Sequence, residues 1–161
     1  MRESIGSTWT FAIIMIFTLI FSGFLVLALA YSKAYKLKNE MTTIIEKYEG
    51  ITITDEKNNM GSLNILNTYL NNSRYTVKGF CEDGDYGVNL EDESLQLAQS
   101  NQKYSYCISK KTNCSTNYTI FTITVFYDFN LPVIGHLANY RISGQTNEIY
   151  KAYINSNNIK C

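Results

Sequence analysis

One histidine, one proline and one tryptophan stand among 161 residues. With His136 as the only imidazole, histidine clusters that hold metals are excluded. A lone histidine beside a glycine reads as a turn or surface residue rather than a general base, because a base needs a positioned partner. The four cysteines never form a C-x-x-C pair, so the usual ligand spacing of zinc is missing. Fourteen Lys+Arg balance fourteen Asp+Glu, and without a basic excess nucleic acid is not an expected partner. The motifs G-x-x-x-x-G-K, G-x-G-x-x-G, H-E-x-x-H and G-x-S-x-G are all absent. An enzyme is therefore the least expected class, and neither a catalytic residue nor a cofactor is assigned. Glu82, Asp83 and Asp85 make an acidic turn that does not meet the EF-hand pattern, so a solvated turn is the expectation.

The most telling absence is of charge between Trp9 and Ala30, WTFAIIMIFTLIFSGFLVLALA. Roughly 20 apolar residues at 1.5 Å rise cross the ~30 Å hydrocarbon core. In lipid such a run satisfies its backbone only as a helix. Trp9–Ala30 is expected to span a bilayer, with residues 1–8 as a short tail on one side. Ser22 and Gly23 lie mid-span, where small residues let helices approach, although no complete G-x-x-x-G is present. Thr18 can bond back to its own helix.

Ala28-Leu29-Ala30 is a small-x-small triplet of the kind signal peptidase cuts. A secreted disulfide-bonded module starting at Tyr31 is thus the alternative to an anchored chain. Against it, the apolar run is longer than an ordinary signal core. Beyond it Ala34, Tyr35, Met41, Ile44, Ile45 and Tyr48 recur near helical spacing with no Gly or Pro between. One helix is expected from about Thr8 to Glu49, stopped by Gly50, with residues 31–50 as its amphipathic extension.

Residues 51–161 read as a domain of ordinary size for one core. Ile51–Thr54 is a candidate strand. Gly61–Asn72 is a short helix with Ser62 as N-cap and Leu63, Leu66, Tyr69 and Leu70 on one face. Strands are expected at Arg74–Cys81, Gly87–Leu90, Lys103–Ser109 and Tyr118–Phe129, then at Leu137–Ser143 and Glu148–Ile154. Asp92–Asn101 reads as a loop or helical turn and Lys110–Asn117 as a turn. In the strongest strand Phe121, Ile123, Val125 and Tyr127 point one way, with Thr122 and Thr124 opposite. Pro132 and Gly135 mark a corner, and Gly144 a bulge or turn. The fold class is α+β: a long N-terminal helix laid across an antiparallel sheet of about four strands.

Cys81, Cys107, Cys114 and Cys161 all follow the apolar run. An even count suggests two disulfides in an oxidising compartment, with three possible pairings; Cys107 with Cys114 would close a short loop. Sidedness is contested. Lys33, Lys36 and Lys38 follow the span, whereas Arg2, partly offset by Glu3, precedes it. The positive-inside rule alone puts the domain inside, and the cysteines put it outside. The outside assignment is taken, with a cytoplasmic N-terminus.

Thr124-Val125-Phe126-Tyr127-Asp128-Phe129, Leu131-Pro132-Val133-Ile134-Gly135, Ile142-Ser143-Gly144-Gln145-Thr146 and Ile149-Tyr150, with the opening Met1-Arg2-Glu3-Ser4-Ile5-Gly6 and Trp9, resemble the TadE-like minor pilins (pseudopilins) of tight-adherence, type IVc pilus systems in Gram-positive bacteria. The resemblance covers nearly the whole chain, in short motifs. It implies a structural subunit gathered by an assembly platform into a hetero-oligomer, with other pilin-like subunits and the lipid bilayer as partners. It also places the domain outside the cell. Glu3, Trp9, Ile14, Thr18, Ser22 and Gly23 are then the assembly-helix residues. One departure stands out. Cutting after Gly6 would put Phe11 at the fifth position of the mature helix, where pilins carry glutamate. An uncleaved anchor with Arg2 and Glu3 at the interface fits equally.

Overall fold

The computed structural model describes residues 2–52, 61–91, 94–131, 135–150, 152–154 and 157–158. The expected positions Pro132 and Cys161, and the loop at 55–60, lie outside the described residues. Helix α1 runs Arg2–Lys47 without a break. It ends as Tyr48 and Glu49 donate to Ile44 and Glu46 carbonyls. The left-handed residue at this end is Glu49 (φ 53°), one position before the expected Gly50. Strand β1 (Gly50–Ile51) leads to helix α2 (Ser62–Asn72). Strands follow at β2 (Gly79–Phe80), β3 (Tyr86–Asn89), β4 (Ser94–Leu97), β5 (Lys103–Tyr104), β6 (Tyr106–Asn113), β7 (Tyr118–Leu131), β8 (Gly135–Gln145), β9 (Ile149–Tyr150), β10 (Tyr153–Ile154) and β11 (Asn157–Asn158).

The main sheet has six strands, not four, in the order β4-β3-β6-β7-β8, with β9 also paired to β7. All its pairings are antiparallel. Much of the difference lies in Asp92–Asn101, expected as a loop or helical turn, which contributes β4 across from β3. The polar side chains of that segment suit an edge strand, where one face meets water. Small sheets β2-β5 and β1-β10-β11 complete the fold.

The helix-facing side of the sheet is the core. Phe121, Ile123 and Val125 of β7 are fully buried there with Tyr106 and Ile108 of β6 and Val88 of β3. They meet Ala34, Leu37, Met41 and Ile45 of α1, and Leu63, Leu66 and Leu70 of α2. The expected alternation in β7 is therefore observed. On the reverse face lie Thr122 and Thr124, but Cys107 and Phe126 are buried there too, under the β2-β5 pair, to which the buried Tyr104 belongs. That covering layer approaches closely because Gly79 and Gly87 lack a Cβ: one would overlap the Phe126 ring, the other the Tyr104 ring.

Local corrections have local causes. Ser62 is not an N-cap. Gly61 holds that position, while the Ser62 hydroxyl donates to the Gly50 carbonyl and accepts from the Thr52 amide. This ties α2 to β1. Most of Arg74–Cys81 makes no ladder, and only Gly79 and Phe80 pair. Gly144 is no corner or turn. It pairs with Ile123 inside β8, where a Cβ would strike the methylenes of Lys38 on α1. The register shift comes instead at Phe129/Asn130. Gly135 (φ 83°) opens β8 opposite Leu131, so the expected corner returns the chain as a hairpin.

Candidate membrane and assembly surface

Helix α1 has two environments. From Ala34 onward its residues at three- and four-residue steps are buried in the core, which places them on one face. Before Ala30 the apolar side chains have almost no cover: Trp9 is 71% exposed, Ile14 57% and Phe17 68%. This segment is long and apolar enough to cross a bilayer, and also passes as a signal sequence. An exposed apolar surface of this extent demands lipid or partner helices.

The residues expected to form the assembly helix divide between two faces. Ile14, Thr18 and Ser22 stand four apart and form one line. Gly23 begins a second line, which continues through Leu27 and Ala30 to the core residues Ala34, Leu37, Met41 and Ile45. These membrane-side members are less exposed than the large side chains around them. Ile14, Thr18 and Ser22 are all exposed. Their hydroxyls are satisfied internally, Thr18 Oγ1 donating to the Ile14 carbonyl (2.8 Å) and Ser22 Oγ to that of Leu19 (2.9 Å). In hydrocarbon a polar group needs such a partner. Glu3 is helical, since α1 starts at Arg2.

Where α1 leaves its charge-free run, four tyrosines gather. The Tyr31 ring meets Tyr127 edge-on at 6.2 Å, Tyr127 stacks on Tyr140 at 5.4 Å, and Tyr31 stacks on Tyr35 at 6.3 Å. Partial burial raises the Tyr127 hydroxyl above its ordinary range, with Tyr140 and Tyr31 adding to the shift. Tyrosine is enriched at membrane–water boundaries, where an apolar body and a polar tip are both accommodated. Tyr31 was detectable from its place beside the span. Tyr127 and Tyr140 were not, because they meet only through the β7–β8 register. Beside this cluster opens a cleft of about 260 Å³ bounded by Lys33, Arg74, Tyr127 and Asp128.

Cys81 and Cys107 form a disulfide, and Cys114 is also disulfide-bonded. Cys107 thus pairs with a residue 26 positions earlier rather than with its neighbour Cys114. Cys107 points to the reverse face of β6, where the loop after β2 crosses it. A second, polar cleft of about 240 Å³ lies there, between Thr122, Thr124, Ser143 and the acidic turn. Arg141 bridges it to Glu82 at 2.7 Å. Both side chains are exposed, so the pair has little energetic weight. Among the described residues no three His, Cys, Asp or Glu side chains come together to hold a metal. His136 stands in β8 opposite Asn130. No protein-family model, curated protein or solved structure matches this chain.

Proposed function

We propose that the chain is a membrane-anchored minor pilin-like subunit of a type IVc (tight-adherence) pilus or a related secretion apparatus. It acts by helix packing rather than catalysis. The N-terminus is cytoplasmic and the β domain extracytoplasmic. The observation that carries this reading is the division of α1. One half is apolar and bare on nearly every side, and the other is built into the core of the β domain. A rigid connection of this kind transmits the packing of helices to the domains they carry. A subunit anchored only in lipid would need no such rigidity. The Cys81–Cys107 bridge supports an oxidising side for the domain.

One observation favours the secreted module instead. All the buried hydrophobic core residues of α1 lie after Ala30, so cleavage at the Ala28-Leu29-Ala30 triplet would release a domain with its core intact. Intact mass and N-terminal sequence, taken from membranes and from medium, separate the two. A membrane-bound chain beginning at Met1 or Ser7 supports the anchored subunit, and Ser7 adds processing by a prepilin peptidase. A chain in the medium beginning at Tyr31 overturns it.

A further inference from the structure

The cleft beside the tyrosine cluster is bounded by Ala30, the last residue of the charge-free run, so in an anchored chain it opens at the bilayer surface. Two cations reach it from separate elements. Lys33 comes from the first turn of α1 beyond the run, and Arg74 from the residue after the C-cap of α2. Both are exposed, and among the described residues neither joins an ion pair. The acid at the rim, Asp128, accepts a hydrogen bond from Asn139 Nδ2 at 2.8 Å. Its apolar lining comes from Ala30, Ala34, Leu37 and Val77.

Arg74 occupies an unfavourable backbone position. Its φ is 51°, at a helix end closed by the Tyr75 amide donating to the Leu70 carbonyl. Glycine is the favoured residue in that left-handed position. An arginine there gives up stability that glycine would restore, so what the position retains is the guanidinium. A planar guanidinium paired with an ammonium, beside an apolar lining, suits a phosphate ester with a hydrocarbon attached.

We propose that this cleft binds the phosphodiester headgroup of an anionic phospholipid. Lys33 and Arg74 supply the positive charge, and the Tyr31–Tyr127–Tyr140 rings rest at the boundary with the acyl chains. The proposal rests on α1 being a membrane anchor. It also accounts for cations on the outer side of a span: Lys33 serves a headgroup, while Lys38 lies over the Tyr35 ring at 4.3 Å.

Native mass spectrometry of the full chain, titrated with phosphatidylglycerol or phosphatidylcholine, tests it. Phosphatidylglycerol is expected to bind more tightly, and Lys33→Gln and Arg74→Gln each to weaken it about fivefold while leaving phosphatidylcholine unaffected. Arg74→Gly is the decisive variant: it is expected to lose lipid affinity like Arg74→Gln yet melt no lower than the parent. Equal affinity for the two lipids, or variants that leave the preference intact, overturns the proposal. Displacement of the lipid by inorganic phosphate overturns its assignment to a lipid. Carbonate extraction separates the two readings. A chain stripped from the membrane overturns the anchor itself, whereas a retained chain without lipid preference overturns only the cleft.

Discussion

The Tyr75 hydroxyl donates to the Phe126 carbonyl and accepts from the Phe126 amide, each at 2.8 Å. It takes the place of a strand partner. β6 pairs with β7 only as far as Val125, so the next peptide groups of β7 have no ladder on that side. A buried backbone group without a partner costs roughly 1–3 kcal/mol. Tyr75→Phe removes the partner of both and is expected to lower unfolding free energy by about 2–4 kcal/mol, read as a shift in urea midpoint with unchanged slope. Tyr106 donates to Asn67 Oδ1 at 3.0 Å in the same core. Among the described residues Asn67 Nδ2 has no partner, so Tyr106→Phe leaves Asn67 wholly unpaired and is expected to cost about 1–3 kcal/mol.

Burial raises the Tyr75 and Tyr106 hydroxyls well above the ordinary tyrosine range. Their folded-state pKa values exceed the unfolded value of about 10. The stability this confers is therefore complete below about pH 10 and declines above it, as the unfolded chain loses protons that the folded chain keeps. The slope is expected near 1.4 kcal/mol per pH unit for each tyrosine. Tyrosinate absorbance should show these two ionising together with unfolding rather than before it.

The Cys81–Cys107 bridge closes a loop 26 residues long, for which chain entropy predicts about 3.5 kcal/mol of stabilisation. The double variant Cys81→Ser/Cys107→Ser should lose about that amount in denaturant titration. A loss near zero would mean that residual structure in the unfolded chain already restrains this loop.

Two glycines that both permit close approach should respond differently to a methyl group. At Gly87 a Cβ would strike the buried Tyr104 ring, whose hydroxyl already accepts from the Gln99 amide. Gly87→Ala is expected to cost about 1–3 kcal/mol. At Gly144 the obstacle is the flexible Lys38 side chain, so Gly144→Ala should cost roughly 0.5 kcal/mol or less. Thermal melts of the pair provide the comparison.

Ile14 is exposed and lies within the first third of the apolar run. An aspartate there costs ~2.5–3.5 kcal/mol on insertion scales. Ile14→Asp should abolish incorporation into filaments or membrane complexes, as judged by cross-linking, while the β domain keeps its melting temperature. Unchanged incorporation would sink the pilin-like reading.

How much of this was legible depended on how local the cause was. The apolar run, the continuation of α1 and the alternation of Phe121, Ile123, Val125 and Tyr127 are written at helix and strand periods, and the structure follows them. Ser62 carried a correct signal for a helix start, yet its hydroxyl was drawn to Gly50 and Thr52 by a contact ten or more residues away. Segment 94–97 is a strand because β3 offers it a ladder, not because its side chains ask for one. Arg74 and Lys33 belong to one cleft only because α2 ends beside the exit of α1.

The amino-acid sequence alone determined the elements whose energetics are local: a helix that lipid or partners must cover, strands with one apolar face, and cysteines available for bridging. Tertiary structure decided what meets across long separations. It chose Cys81 for Cys107, set Tyr75 against Phe126 and left Ile14, Thr18 and Ser22 exposed. Those outcomes depend on strand order and register, and no periodicity within a segment specifies which segment will lie beside it.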